Sequence, residues 1–296
     1  MYTFQEQLES IRDGKGFIAA LDQSGGSTPK ALLGYGIDEN QYKDETEMYQ
    51  LIHDMRTRVI TNENFTNDKI LGVILFEKTM KGLIGEQPVP SYLLDKHIVP
   101  FLKVDKGLED LEHGVKLMKP IPNLESRLLE AKKLGVFGTK MRSVIYENDT
   151  TGISDIVKQQ FAFGLDILAC GLIPILEPEV DIHAKSKTEI EAVLKKNILK
   201  ELDNLPKDAM IILKLTLPTV SNFYQDLVNH SKVVRVFALS GGYDIETANT
   251  LLAKNKGVIA SFSRALLNDL KIQQSEEEFS SALNSAISSI YEASIT

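Results

Sequence analysis

Short apolar runs rich in β-branched residues recur along the chain, and each run ends in polar or charged residues. Runs of this length are typical of strands that are buried on both faces. They lie at residues 16–22, 70–76, 100–105, 136–142, 172–179, 210–216, 233–240 and 257–263. We therefore predict eight short strands.

Segments with helical periodicity lie between these runs. Ile190, Val193, Leu194 and Ile198 mark one apolar face of a helix that begins near Lys187. The same spacing predicts helices before the fourth and fifth strands, on Leu124, Leu128, Ala131 and Leu134 and on Ile156, Phe161, Leu165 and Leu168. Residues typical of helix ends predict a stop at Gly135, an N-cap at Asp244 and a capping box at Ser275 and Glu278.

Strands that alternate with helices indicate an α/β protein with a parallel sheet and crossover helices. Eight such units in 296 residues most simply close into a (β/α)8 TIM barrel, a fold that needs about 250 residues. We expect an extra N-terminal helix and a C-terminal helical segment. No Gly/Ser-rich or Pro-rich linker divides the chain, so residues 1–296 are predicted to form one domain. A doubly wound open sheet is the competing architecture.

Composition and charge limit the expected partners. The formal net charge is −8, whereas sequence-independent binding of nucleic acid needs a basic surface. A local cluster of Lys and Arg would still bind small phosphorylated molecules. The N-terminal segment lacks an apolar secretory core, and no apolar run approaches the roughly 20 residues of a membrane span. We expect a cytoplasmic protein that binds neither nucleic acid nor membrane, and the sequence leaves a homo-oligomer open.

The sequence does not predict a metal or an organic cofactor. None of the five histidines ends a predicted strand or shows the spacing of metal ligands: His53, His97, His113, His183 and His230. No G-x-G-x-x-G motif follows a strand, so a dinucleotide is not indicated. The single cysteine, Cys170, lies in an apolar stretch and is expected to be a buried structural thiol.

Polar residues fall at the C-terminal ends of the predicted strands, where (β/α)8 barrels carry their active sites. They are Asp22, Lys103, Asp105, Lys106, Lys140, Arg142, Glu177, Glu179, Lys214, Thr216, Ser240, Ser263 and Arg264. Residues two apart on a strand share a face, so neighbouring pairs in this set can point together. Any one pair is readily explained as a structural salt bridge. Charges at the same end of five strands favour a functional site, because a structural network needs no such coincidence.

Lys214 stands out because its strand is the most apolar of those with polar ends. A lysine amine with the ordinary pKa of about 10.4 is almost wholly protonated at pH 7 and is a poor nucleophile. Burial and neighbouring cations, here Lys140 and Arg142, favour the neutral form of an amine. The alternative is that Lys214 is only half of a buried ion pair, with Glu177 as the expected partner.

A second signal indicates phosphate binding. Ser240, Gly241 and Gly242 follow the seventh strand, and Arg264 follows the eighth. Backbone amides next to a fixed cation suit a phosphate, and the loops after strands seven and eight are the usual phosphate site of this architecture. By itself, Ser-Gly-Gly is also an ordinary turn.

Together these motifs resemble those of class I fructose-bisphosphate aldolases. The resemblance runs in order along nearly the whole chain, through residues 16–22 (GFIAALD), 103–107 (KVDKG), 140–142 (KMR), 174–179 (PILEPE), 213–214 (LK), 239–242 (LSGG) and 263–266 (SRAL). It implies a barrel enzyme of glycolysis and gluconeogenesis. Such enzymes interconvert fructose 1,6-bisphosphate with dihydroxyacetone phosphate and glyceraldehyde 3-phosphate, without a metal.

The resemblance also implies residue roles. Lys214 matches the Schiff-base lysine, and Glu177 matches the group that moves protons as the carbinolamine forms and breaks down. Asp22 matches the carboxylate beside the C4 hydroxyl, and Lys140 the lysine that supports the amine and orients substrate hydroxyls. The implied substrate-binding residues are Ser240, Gly241 and Arg264 at the C1 phosphate, Lys103 on the substrate side and Glu179 behind the site, and we add Arg142 and Ser263.

The sequence departs from the animal enzymes at a few positions. Gln23 stands where they carry a glutamate, Ala31 replaces a phosphate-contacting arginine, and Ser263 replaces a glycine. The chain stops at Thr296, without the longer tail whose terminal tyrosine assists proton transfer in animal enzymes. This shorter form resembles the bacterial version of the family.

Two alternatives fit the same residues. Another Schiff-base barrel enzyme, such as a deoxyribose-phosphate aldolase, a transaldolase or a tagatose 1,6-bisphosphate aldolase, would keep Lys214 and change only the substrate. The departures at Gln23 and Ala31 suggest a non-catalytic sugar-phosphate-binding protein as the other alternative. Such a protein is expected to lose its nucleophile or its acid–base pair, and both are present here.

Overall fold

Eight parallel strands close into a barrel in the computed structural model, which describes residues 2–296. The strands are β1 (Phe17–Leu21), β2 (Ile70–Leu75), β3 (Val99–Lys103), β4 (Gly138–Ile145), β5 (Ile173–Val180), β6 (Ile211–Thr216), β7 (Val233–Leu239) and β8 (Val258–Phe262). Each strand pairs with the next one along the chain, and β8 returns to β1 through the register pair Ser261 and Ile18. The closed ring confirms the barrel and excludes the doubly wound sheet.

Helices surround the barrel. The longer ones are α1 (Phe4–Asp13), α2 (Thr28–Tyr35), α3 (Glu45–Thr61), α4 (Val89–Asp95), α5 (Leu124–Lys133), α6 (Thr150–Ala169), α7 (Lys187–Asn204), α8 (Ile245–Leu252) and α9 (Glu276–Ser294). Shorter elements are the helical turns Gly25–Ser27, Glu39–Gln41, Glu77–Met80, Gln225–Val228 and Arg264–Leu267 and the two-residue strands Leu83–Ile84, Gln87–Pro88 and Val115–Lys116. Within residues 2–296, no helix has the length and apolar character that crossing a bilayer requires.

The two ends of the barrel interior differ in chemistry. Apolar side chains from the beginnings of the strands, including Ile18, Phe101 and Phe237, fill the N-terminal end. Helix α1 packs against this cluster through Leu8 and Ile11, both almost fully buried, and so covers that end. The polar residues at the opposite ends of the strands are therefore left to form the only part of the barrel interior in residues 2–296 that carries charges.

Strand boundaries predicted from the sequence lie within three residues of the observed ones. The largest difference is in β4, which continues to Ile145 because its last residues pair with the short strand Val115–Lys116. Asp105, predicted to end the third strand, lies instead in the loop after Lys103. The pairing of β3 stops at Lys103, two residues before the end of the predicted strand.

The helix predictions are confirmed in their positions and caps, with one correction. Asp244 caps α8, and Ser275 with Glu278 forms the capping box of α9. Leu165 was assigned to the apolar face of α6 but is 43% exposed, because the buried stripe of that helix runs through Gly164, which lies against β5. The expectation that Cys170 is a buried thiol is wrong, because this residue caps the C-terminal end of α6 between two exposed residues and is only partly buried.

The cover formed by α1 gives a stability prediction. Ile11→Ala should lower the free energy of unfolding by about 2–5 kcal/mol, because it leaves a cavity against the inner barrel cluster. Leu129→Ala is the matched control, since Leu129 is 45% exposed and should change stability by about 0.5 kcal/mol or less. Urea unfolding followed by circular dichroism measures both, and equal effects of the two changes would contradict the packing described for α1.

Candidate active site

A cavity of about 660 Å³ opens at the C-terminal end of the barrel. All eleven residues predicted for the site line this cavity: Asp22, Lys103, Lys140, Arg142, Glu177, Glu179, Lys214, Ser240, Gly241, Ser263 and Arg264. They come from the ends of seven of the eight strands or from the loops that follow. The closed parallel sheet is what brings them together, because all of its C-terminal strand ends face the same side.

Two lysines and two carboxylates form an ion cluster in the cavity. Lys140 Nζ lies 2.6 Å from Asp22 Oδ2 and 2.8 Å from Glu177 Oε2. Lys214 Nζ lies 3.0 Å from Glu177 Oε1. All four side chains are at most 9% exposed. Each oxygen of Glu177 therefore faces a different amine, and the formal charges of the four side chains cancel.

Burial and the lysines act in opposite directions on the carboxylates. Burial alone would raise the pKa of Glu177, but Lys140 and Lys214 outweigh it and hold that pKa below its usual range. The same balance holds the pKa of Asp22 well below its usual range. Burial opposes the charge of Lys140, yet Asp22 and Glu177 raise the pKa of its amine well above the ordinary value. At neutral pH both carboxylates are ionised and Lys140 is a fixed cation.

Lys214 projects from β6 between apolar neighbours. Leu213 and Leu215 flank it and are buried, and Phe237 of β7 is its register partner. The ion pair with Glu177, considered from the sequence as the structural alternative, is present. An amine within 3.0 Å of a carboxylate is also within reach for proton transfer. The same contact therefore serves both the structural and the chemical interpretation.

Two further ion pairs line the cavity wall. Lys103 Nζ donates to Asp105 Oδ1 at 2.5 Å, and Arg142 Nε donates to Glu179 Oε2 at 2.6 Å. Burial would lower the pKa of the Arg142 guanidinium, but Glu179 outweighs it and raises that pKa. A guanidinium carries five N–H donors and an ammonium three, so both cations keep donors for a ligand. Asp105 and Glu179 hold these cations at the cavity wall.

The predicted phosphate loops lie side by side. Gly241 and Gly242 have φ angles of +61° and +115°, which side chains rarely adopt. A Cβ on Gly241 would lie 2.6 Å from Ile182, and one on Gly242 would lie 3.4 Å from the Arg264 guanidinium. Glycine is therefore required at position 241 and lets Arg264 lie close to the backbone at 242. Ser240 completes this part of the cavity wall.

The sequence patterns neither single out Arg56 nor place Thr216 correctly. Arg56, on α3, is fully buried and donates to the backbone oxygen of Gln23 in the loop after β1. A signal for it exists, since it lies four residues after Ile52 on the apolar face of α3. The hydroxyl of Thr216 bonds to the backbone of Val180 and ties β6 to β5, so it does not line the cavity with Lys214.

No metal centre is evident in the described part of the chain. Within residues 2–296, no three His, Cys, Asp or Glu side chains are grouped closely enough to hold a metal ion. The acidic residues of the cavity are paired with lysine or arginine instead. The polar side-chain groups that line the cavity include amines, carboxylates, hydroxyls and the guanidinium groups of Arg142 and Arg264.

A closed parallel barrel with a buried lysine–carboxylate cluster at its C-terminal end defines the class of this protein, a (β/α)8 barrel with an acid–base site. The chain belongs to the class-I fructose-bisphosphate aldolase family, whose model matches residues 5–224. Membership of an aldolase family makes the protein a lyase. The matched region contains Asp22, Lys140, Glu177 and Lys214.

Solved structures support the fold. The chain is similar to fructose-bisphosphate aldolase from Plasmodium falciparum, at 19% identity and a TM-score of 0.74, over 98% of this chain and 93% of that chain. It is also similar to a protein from Corynebacterium glutamicum, at 13% identity and a TM-score of 0.57, over 98% of this chain and 92% of that chain. Likeness at these identities concerns the fold, and it agrees with the closed barrel.

The ion cluster predicts a loss of stability in acid. The folded pKa of Asp22 is below the unfolded value of about 3.9, so Asp22 stabilises the fold above that pH and loses this contribution as the pH falls through the folded pKa. Asp22→Asn should therefore be less stable than wild type at pH 7, and its stability should fall less steeply between about pH 4 and pH 2. Urea unfolding across this range measures both slopes, and parallel slopes would contradict the assignment.

Proposed function

We propose that the protein reversibly cleaves fructose 1,6-bisphosphate to dihydroxyacetone phosphate and glyceraldehyde 3-phosphate through a Schiff base on Lys214. The observation that carries this proposal is the 3.0 Å contact between Lys214 Nζ and Glu177, inside a cavity that also holds Asp22 and Lys140. Covalent catalysis by lysine needs an amine that can lose its proton and an acid–base group beside it. Lys214 and Glu177 supply the amine and the acid–base group of this proposal at one place.

The first steps form the Schiff base. Glu177 takes a proton from Lys214, and the neutral amine attacks the C2 carbonyl of the substrate to give a carbinolamine. Glu177 then returns a proton to the leaving hydroxyl, so that water departs and a protonated imine remains. Lys140 lies 2.8 Å from the second carboxylate oxygen and favours the ionised form of Glu177 before the first transfer and after the second. One carboxylate between two amines thus serves both proton transfers.

Cleavage follows at C3–C4. Asp22 accepts the proton of the C4 hydroxyl, the C3–C4 electron pair moves into the protonated imine, and glyceraldehyde 3-phosphate leaves. Asp22 is a weak base while Lys140 lies 2.6 Å away, so the incoming hydroxyl must replace that lysine as its partner. Protonation of the remaining enamine at C3 and hydrolysis of the imine release dihydroxyacetone phosphate and free Lys214.

Two groups of cavity residues are assigned to substrate binding. Ser240, Gly241 and Arg264 are assigned to the C1 phosphate, since backbone amides beside a guanidinium stabilise an anion. Lys103 and Arg142 are assigned to contacts with the rest of the substrate. Glu179 orients the arginine by accepting a hydrogen bond from its Nε. The reaction as proposed uses neither a metal nor an organic cofactor. The proposal includes a role in glycolysis and gluconeogenesis in the cytoplasm, and a place among the bacterial forms of the family.

Substrate range is the part of the proposal that other Schiff-base aldolases would share. We expect kcat/KM to be highest for fructose 1,6-bisphosphate when it is compared with tagatose 1,6-bisphosphate and deoxyribose 5-phosphate in coupled assays with a chelator present. A rate on fructose 1,6-bisphosphate below about a hundredth of the best substrate would reject the assigned substrate. Binding without cleavage at high enzyme concentration would favour a non-catalytic sugar-phosphate-binding protein.

The same assay tests Glu177. Glu177→Gln should lower kcat by about 10²–10⁴-fold, because the amide cannot exchange protons with the amine or the leaving hydroxyl. Lys254→Met, a change at an exposed lysine that does not line the cavity, is the control and should leave the rate unaltered. A Glu177→Gln enzyme with near wild-type kcat would show that another group moves the protons.

A further inference from the structure

A chain of hydrogen bonds runs from a buried arginine to the wall of the cavity. Arg56 has no exposed surface, and its partners are neutral oxygens. Its guanidinium donates to Thr79 Oγ1 at 2.6 Å, to the backbone oxygen of Gln23 at 2.6 Å and to Gln23 Oε1 at 3.3 Å. The carboxylate that contributes to its electrostatics, Asp22, is paired with Lys140 instead. Arg56 is thus a buried cation without a carboxylate of its own.

Arg56 keeps its charge at neutral pH. Burial lowers its pKa to about 10, against the opposing effect of Asp22, so the guanidinium stays protonated well above pH 7. Burying an uncompensated charge is costly, so a buried cation is expected to be stabilised by hydrogen-bond acceptors or by a nearby anion. The side chain that separates this cation from the cavity is Gln23, which also lines the cavity.

The contact with Arg56 fixes the orientation of the Gln23 amide. A guanidinium only donates, so the oxygen of the amide must face Arg56 and the nitrogen must face away. The nitrogen donates to Ser263 Oγ at 2.5 Å, across the seam between β1 and β8. With the amide reversed, two donors would face each other at Arg56.

The direction of these hydrogen bonds determines where Ser263 can donate its hydroxyl proton. A hydroxyl has one proton to donate, and Ser263 Oγ already accepts from Gln23. Its own proton therefore points away from the amide. Ser263 lines the cavity next to Arg264 and shares it with Gly241, so an acceptor for that proton would lie among the groups assigned to a phosphate.

We propose that Ser263 donates its hydroxyl proton to a phosphate oxygen of the substrate, and that Gln23 and Arg56 are positioning residues that hold the hydroxyl in this direction. The identification of the phosphate as part of a sugar phosphate rests on the proposed function. The direction of the hydrogen bonds does not. A donor oriented by a buried cation should strengthen phosphate binding more than a freely rotating hydroxyl, because charge-assisted hydrogen bonds are the stronger ones.

Inorganic phosphate is the probe for the first test, with its dissociation constant measured by titration calorimetry on the full chain. Ser263→Ala should weaken binding by about tenfold, as expected for the loss of a hydrogen bond to a charged group. Ser289→Ala is the matched control, because Ser289 also accepts from an amide, Asn249 at 2.6 Å, but far from the cavity. Unchanged affinity in Ser263→Ala, or no phosphate binding by wild type, would overturn the proposal.

Gln23→Glu tests the direction of the hydrogen bonds between Arg56, position 23 and Ser263. The carboxylate pairs with Arg56 and accepts from Ser263, so the hydroxyl proton turns away from the cavity. It also adds a negative charge, which weakens phosphate binding with or without Ser263. We therefore expect Gln23→Glu to cost at least threefold more affinity in the wild-type background than in Ser263→Ala, and equal costs would overturn the relay.

Schiff-base formation separates a binding role from a structural one. Ser263→Ala should slow borohydride trapping of dihydroxyacetone phosphate at low concentration, and leave trapping of unphosphorylated dihydroxyacetone unchanged. A general loosening of the loop would slow both and would contradict the proposal. Weaker phosphate binding in a protein that proves inactive on fructose 1,6-bisphosphate would reject the proposed substrate alone.

Discussion

The ion cluster of Asp22, Lys140, Glu177 and Lys214 is the constraint on which the rest of the structure depends. Removing charges from water costs several kcal/mol per group, and deleting one partner of a buried pair costs about 3–5 kcal/mol. The cluster is tolerated because two amines face two carboxylates at 2.6–3.0 Å. Its members come from the ends of β1, β4, β5 and β6, so it exists only if the barrel closes in the observed register. The pairing of the buried charges and the chemistry of the site therefore both require the barrel to close in this register.

The two ends of the barrel interior differ in chemistry, and this difference lets the fold accommodate the ion cluster. At the N-terminal end, apolar side chains and helix α1 exclude water from the barrel interior. At the C-terminal end, the strands give up apolar packing and carry charge. The ion pairs offset part of the loss of packing there. A cavity lined with charges can therefore lie inside a stable core.

The sequence was sufficient to predict the barrel and the polar residues that line its cavity, but not the contacts between its loops. Apolar runs at regular intervals reveal strands, and a closed parallel sheet necessarily gathers their C-terminal ends, so Lys214 and Glu177 could be placed together. Arg56 and Ser263 are far apart in the chain, and no periodicity connects them. Period-two alternation also could not show that Thr216 bonds to the neighbouring strand. In each case the missing information is which polar atoms meet across elements that are distant in sequence.

The central claim is that Lys214 is the nucleophile of this cavity. The most direct measurement is incubation with dihydroxyacetone phosphate and a chelator, reduction with borohydride, and mapping of the adduct by peptide mass spectrometry. The account predicts one stable adduct, on Lys214, and none in Lys214→Met. An adduct on Lys140 or on another lysine, or no adduct at all, would contradict the account and would require the mechanism to be rebuilt from Asp22 and Glu177.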